Sequence, residues 1–176
     1  DTQKFTKEYH VDELSALKEK LGKQQADIFV ITTSRLVTKN AVDIVIRSLK
    51  LLPEEVKFLV LGIGPDEVML KSLAVSEGVS SRVKFLGQID HNEMPKYLKV
   101  SDIFIRPSRS EGMGNSFVEA MAARIPVVAT AVGGITDFLF DPVTNTDKEP
   151  TGLFAKVEDP KDTARAIAQF VNDKAL

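Results

Sequence analysis

The sequence contains no cysteine and no tryptophan, has only two histidines, and carries almost no excess of charge: 23 Lys+Arg stand against 25 Asp+Glu, a formal net charge of -2. Each scarcity removes a class of function. Without sulfur there is no thiolate nucleophile, no thiolate-bound metal or iron–sulfur centre and no disulfide framework. His10 and His91 stand apart from any second histidine or clustered carboxylates at ligand spacing, so both read as surface residues rather than as metal ligands or acid–base groups. The balanced charge argues against a broad basic surface, and no nucleic-acid partner is expected. No apolar run approaches the ~18 residues of a membrane span. The opening stretch DTQKFTKEYH has neither an initiator Met nor a signal-type hydrophobic segment, so the expectation is a chain without transmembrane or export segment, cut from something longer.

What is present suits one folded domain. The 176 residues are 43% hydrophobic, enough to bury a core without a disulfide or metal staple. After a polar lead-in, Leu14, Leu17 and Leu21 recur at helical spacing between Val11 and Gly22. The period then changes. Continuous apolar, β-branched runs at 28–33 (IFVITT), 57–62 (KFLVLG), 83–87 (VKFLG), 102–106 (DIFIR) and 126–130 (PVVAT) read as strands buried on both faces. Helical patterns alternate with them at Ala41–Leu52, Glu67–Glu77, Glu93–Lys99, Ser116–Ala123 and Lys161–Val171. Such alternation predicts an α/β fold, a Rossmann-like doubly wound parallel sheet with right-handed crossovers. The Pro-, Thr- and charge-rich stretch 141–152 reads as a surface loop.

In such a sheet ligands bind beyond the carboxyl ends of the strands, which directs attention to the residues following each run. After the first come Ser34, Arg35 and Lys39; after the second, Gly62-Ile63-Gly64-Pro65; after the fourth, a loop containing Glu111-Gly112-Met113-Gly114-Asn115-Ser116; after the fifth, Gly133-Gly134. Gly62 and Gly64 fit a tight turn as readily as a phosphate loop, since a third fingerprint glycine is missing. The segment 111–116 leads directly into a helix whose free N–H groups suit an anion, yet Ser116-x-x-Glu119 also matches a capping box. Arg35 and Lys39 suit a diphosphate or simply a solvated face. No P-loop, nucleophile elbow, zinc-binding H-E-x-x-H or calcium loop occurs.

From Thr32 to about Ile167 the chain resembles the C-terminal, donor-binding half of a GT-B fold retaining glycosyltransferase of the large GT4-like family. The resemblance rests on an ordered set: SRLVTKNAVD, FLVLGIGP, VKFLGQI, DIFIRPSRSEGMGNSFVEAMAARIPVVAT, Gly133-Gly134 and TGLF at 151–154, centred on a Glu-x7-Glu pattern at Glu111 and Glu119. It implies that Glu119 bonds the ribose hydroxyls of a nucleotide-diphosphate sugar, and that Glu111 orients the hydroxyls of the transferred sugar. Arg35 would stabilise charge on the leaving diphosphate. Gly112, Met113, Gly114 and Asn115 would line the sugar and diphosphate, with Gly64 and Gly87 close to the nucleotide and the 87–90 loop near the base. Ser34 stands where the family often has glycine. Asn40, rather than Lys39, occupies the position of the usual phosphate-binding lysine, so either residue is a candidate for that role. Ala41 stands where a glycine commonly follows, and Arg124 replaces the glycine usual in the EAMAARIP segment; a positive φ at Ser34 or Arg124 is expected to be strained.

The implied assignment is that residues 1–176 form a donor-binding domain of a hexosyltransferase-like enzyme. The donor is a UDP- or GDP-sugar acting as substrate, with no tightly bound cofactor and no metal. Its partners are an N-terminal GT-B domain absent from this chain and a glycan or lipid-linked acceptor. The implied location is cytoplasmic, with the inner membrane surface as a peripheral site for the full-length protein. Competing readings are a nucleotide-sugar epimerase or phosphorylase of similar fold, and a non-catalytic interaction module, which a separation of Arg35 and Glu119 beyond ~15 Å would favour.

Overall fold

The computed structural model describes residues 3–172; Asp1, Thr2 and residues 173–176 lie outside it, and with them the ends of the assigned domain. Six strands, β1 (Ile28–Thr33), β2 (Val56–Leu61), β3 (Val83–Gly87), β4 (Ile103–Arg106), β5 (Val127–Thr130) and β6 (Leu153–Ala155), form one sheet in the order β3-β2-β1-β4-β5-β6. Every pairing is parallel, with Ile28 opposite Val56, Val30 opposite Ile103, Phe104 opposite Val127 and Val128 opposite Leu153. The order reverses direction between β1 and β4, and this switch point is where a crevice opens at the carboxyl edge of a Rossmann-like sheet.

Alternation along each strand divides the core. Val30, Phe58, Val60, Ile105 and Val128 face one layer, built from α2 (Val42–Ser48), α3 (Glu67–Ser76) and α6 (Pro160–Asn172). Phe29, Ile31, Leu59, Phe104 and Ala129 face the other, where α4 (Met94–Lys99), α5 (Asn115–Ala122) and Leu21, just beyond α1 (Val11–Lys20), contribute. Covered on both faces, the strands are apolar throughout, which is why contiguous hydrophobic runs located β1 to β5.

Local structure departs from the sequence reading at four places. The helix expected over 41–52 ends at Ser48 and tightens into a 3-10 turn at Leu49–Leu51, because Leu52, preceding Pro53, is extended. The short strand β6 carries too few residues to announce itself as an apolar run. The lead-in is not wholly polar in behaviour: Gln3–Phe5 forms a 3-10 turn and Phe5 is fully buried. Finally, 141–152 is surface only in its middle. Asp141 is buried, accepting the Phe154 and Val143 N–H groups at 2.7 and 2.8 Å, while Thr151 Oγ1 accepts the Phe140 N–H at 2.8 Å.

Of the two positions where strain is expected, Arg124 adopts the left-handed conformation with φ 60° and Ser34 does not; Ala41, at another glycine position, has φ 53°. Arg124 closes α5 through paired bonds, its own N–H to the Met121 carbonyl and that of Ile125 to the Ala120 carbonyl, the Schellman arrangement that glycine fits without a Cβ penalty. Arg124→Gly is therefore expected to raise stability by roughly 0.5–1 kcal/mol, the left-handed penalty less the added freedom of the unfolded chain. A denaturant midpoint that falls in the variant would contradict this.

Candidate functional site

Two loops at the switch point are fastened together before any ligand is considered. Beyond β1, the Ser34 and Leu36 N–H groups donate to the carbonyls of Leu61 and Ile63, and the Asp66 N–H donates to the Leu36 carbonyl. The glycines of the β2 loop permit this approach: a Cβ on Gly62 would lie 1.9 Å from the Ser34 carbonyl oxygen, and one on Gly64 2.2 Å from that of Leu36. Gly64 thus supports the cleft wall from behind, where backbone meets backbone.

A second fastening runs through Arg109. Its guanidinium forks onto Asp43 at 2.9 and 2.8 Å, pairs with Glu158 and donates to the Thr38 carbonyl, while its own N–H donates to the Lys39 carbonyl at 2.8 Å. Asp43 and Glu158 hold the guanidinium's pKa above its already high ordinary value. The turn carrying Lys39 is consequently tied to the loop following β4. Asn40 is buried and donates through Nδ2 to the Arg35 carbonyl at 2.7 Å, so it shapes the loop, whereas Lys39 is exposed at the cleft.

The loop beyond β4 leads into α5. Gly114, with φ 63°, occupies the helix N-cap, and no side chain caps the helix. Ser116 therefore lies two positions too far inside to form the capping box with Glu119, and its buried Oγ has no hydrogen-bond partner among the described residues. Both residues face cavities instead. A cleft of about 900 Å³ is lined by Arg35, Lys39, Asn40, Arg106, Glu111, Gly114, Asn115 and Ser116. An adjoining cavity of about 440 Å³ is lined by Ser34, Arg35, Gln88, Ile89, His91, Ser116 and Glu119. Thr33, Arg35 and Ser116 border both, so the two are neighbouring lobes along one edge of the sheet. Gly64, Gly87, Gly112 and Met113 are not part of either lining.

The two glutamates occupy different lobes. Glu119 stands in the smaller one, where burial raises its carboxyl pKa above the usual range, opposed by His91, Lys4 and Arg106; His91 Nε2 is 3.8 Å from its Oε1. Although mostly exposed, His91 is thus a cavity residue, its ring edge-on to Phe5 with centroids 5.5 Å apart. Glu111, in the larger lobe, accepts from its neighbour Gly112 N–H at 3.0 Å and pairs with Arg106 Nη2 at 2.5 Å. Arg106 escaped the sequence reading because it is the last residue of the β4 run rather than the first of the loop. A lone cation ending an otherwise apolar strand was the available signal.

With this arrangement in view, comparison with known proteins is decisive about family. The sequence matches the family described as "Glycosyl transferases group 1" over residues 15–176. The chain belongs to that family. It is 32% identical over 182 aligned residues to the lipopolysaccharide core mannosyltransferase LpsB of Rhizobium meliloti (strain 1021), covering 99% of this chain and 49% of that protein. It is 29% identical to a GDP-mannose-dependent phosphatidylinositol monomannoside mannosyltransferase of Corynebacterium glutamicum, covering 98% and 45%. The chain thus spans about half the length of these relatives.

Among solved structures, Anabaena Alr3699/HepE superposes with a TM-score of 0.86 at 24% identity, over 99% of this chain and 46% of that one. The C-terminal domain of the group 1 protein LpcC from Francisella tularensis gives 0.80 at 21% identity, over 99% and 88%. These likenesses establish the fold. Among the described residues no helix is long and apolar enough to cross a membrane, and no group of three His, Asp or Glu is placed to hold a metal ion.

Proposed function

We propose that this chain is the donor-binding half of a retaining glycosyltransferase that transfers a hexose from a UDP- or GDP-sugar, the acceptor being held by an N-terminal domain across the cleft. The observation that carries the reading is the pair of adjoining lobes, with Glu119 in one, Glu111 in the other and Arg35 facing both. The shared cavity also argues against a module in which these residues are unrelated surface charges. The known complexes of HepE with UDP and with UDP-glucose, and the GDP-mannose dependence of the Corynebacterium relative, support a nucleotide sugar as ligand.

In this reading the smaller lobe takes the nucleoside, with ribose hydroxyls donating to Glu119 and the base beside Gln88 and Ile89. The diphosphate crosses the shared border at Arg35, with Lys39 at the far wall and the N-terminal end of α5 presenting free N–H groups. The hexose lies in the larger lobe against Glu111. As the glycosidic bond breaks, negative charge grows on the diphosphate, and fixed cations and helix N–H groups stabilise it there more than in the ground state.

Titration with UDP-, GDP- and ADP-sugars tests the proposal; absence of binding by all of them at millimolar concentration, in folded protein, would overturn it. The pH dependence has a defined sign. Ribose hydroxyls donate to the ionised Glu119, and burial raises that carboxyl's pKa, so nucleotide affinity is expected to be lost as pH falls and the carboxyl is protonated. It should decline on acidification earlier than an ordinary carboxylate would allow. Glu119→Gln should bind at least about tenfold more weakly at neutral pH and lose that pH dependence. An unchanged pH profile in the variant would remove Glu119 from the nucleotide contacts.

A further inference from the structure

Arg106 is a charge where the fold would accept an apolar residue. It ends β4, pairs in register with Ala129, and is 7% exposed. Its guanidinium lies over the Phe117 ring, 4.4 Å from the centroid, and one of its terminal nitrogens meets Glu111. Its Nε is buried without a hydrogen-bond partner among the described residues. Burial pulls the guanidinium's pKa down, and Glu111 opposes this.

A buried ion pair is seldom worth more to stability than well-packed hydrocarbon of the same size, and here one donor is left unused. Stability therefore gives a poor account of the residue. Its surroundings give a better one, because both members of the pair line the larger lobe. The loop is also cut to admit it: a Cβ on Gly114 would lie 2.8 Å from Arg106 Nη2 and 2.6 Å from Phe117. Stacked on Phe117 below and held against Glu111 at its end, the planar guanidinium fixes where one carboxylate oxygen sits. The Gly112 N–H fixes the other.

We propose that Arg106 is a positioning residue for the donor sugar: it locks the Glu111 carboxylate in the wall of the larger lobe and so determines how strongly the chain prefers a nucleotide sugar over the bare nucleoside diphosphate. The inference rests on the donor-binding reading and adds to it a residue that contacts the sugar only through Glu111. Arg106→Met retains the length and packing of the side chain and removes the fork. Arg106→Lys retains the charge but offers a single rotatable ammonium.

The test is calorimetric titration of this chain with UDP against UDP-glucose and GDP against GDP-mannose, reading the ratio of the two affinities within the productive pair. Arg106→Met is expected to reduce that ratio about tenfold, Glu111→Gln to do the same, and the double variant to be no worse than either alone. Arg106→Lys should recover part of the ratio. A merely structural role would instead lower thermal stability while leaving the ratio intact.

A ratio within about twofold of the parent in Arg106→Met, or additive losses in the double variant, overturns the proposal. So does a parent chain that binds the sugar no more tightly than the diphosphate. A parent that binds no nucleotide at all refutes the donor-binding reading itself, and the two failures are thereby told apart.

Discussion

The double variant Arg35→Ala, Lys39→Ala is expected to bind nucleoside diphosphates at least about 100-fold more weakly than the parent, with its denaturant midpoint essentially unmoved. A hydrogen bond to a charged group contributes about 1.5–3 kcal/mol, so two of them account for roughly 3–6 kcal/mol, and 1.4 kcal/mol is tenfold in affinity. Both side chains are exposed at the cleft and neither forms an ion pair among the described residues, so their removal leaves no buried partner stranded. Because they are exposed, the loss should shrink as salt is raised and the cations are screened. The nucleoside monophosphate should suffer less than the diphosphate. A loss below about fivefold for UDP and GDP alike would place the diphosphate elsewhere.

Gly133→Ala is expected to cost about 3 kcal/mol or more of folding stability. Gly133 has φ 54°, and a Cβ there would lie 1.8 Å from the Glu111 carbonyl oxygen, a collision of main chain with main chain that no rotamer change relieves. Its neighbour shows why the loops are so close, for the Gly134 N–H donates to the Gly112 carbonyl at 3.0 Å. The turn beyond β5 is thus the floor on which the Glu111 loop rests, and the variant should lose preference for the nucleotide sugar along with stability. Chemical denaturation measures the first effect; a cost under 1 kcal/mol would show that the two loops separate easily.

The fold was readable because strands covered on both faces must be apolar along their whole length, and IFVITT, KFLVLG and DIFIR have no other use in a chain of this composition. Arg124 was readable for a related reason: replacing a family glycine leaves the backbone demand in place, and the left-handed angle appears there, whereas Ser34 has no positive φ and Ala41 does. Motif and strand end coincide at Arg35, Glu111 and Glu119, and the folded chain sets all three along the cavities at that edge. Two readings stood open where a local pattern competed with geometry. Ser116-x-x-Glu119 has the letters of a capping box, but Gly114 at φ 63° starts the helix earlier, which leaves both side chains to the cavities.

Contacts that link distant segments left little trace. Arg109 is unremarkable in sequence, yet it joins Asp43, Glu158 and the turn carrying Lys39. Asn40, aligned with a phosphate-binding position and lining the larger lobe, also holds the Arg35 carbonyl. Position in a motif gives a residue's place along the chain; which neighbour it meets depends on loops that only the folded sheet brings together.

The division of the cleft into lobes that share only Thr33, Arg35 and Ser116 has a consequence for how such a protein changes over generations. Gln88, Ile89 and His91 line one lobe, and Glu111, Gly114 and Asn115 the other. On the proposed reading, base and hexose are therefore selected by separate pieces of chain. Either preference can drift, or be grafted from a relative, while the other is inherited intact, and the common border is where a change would disturb both.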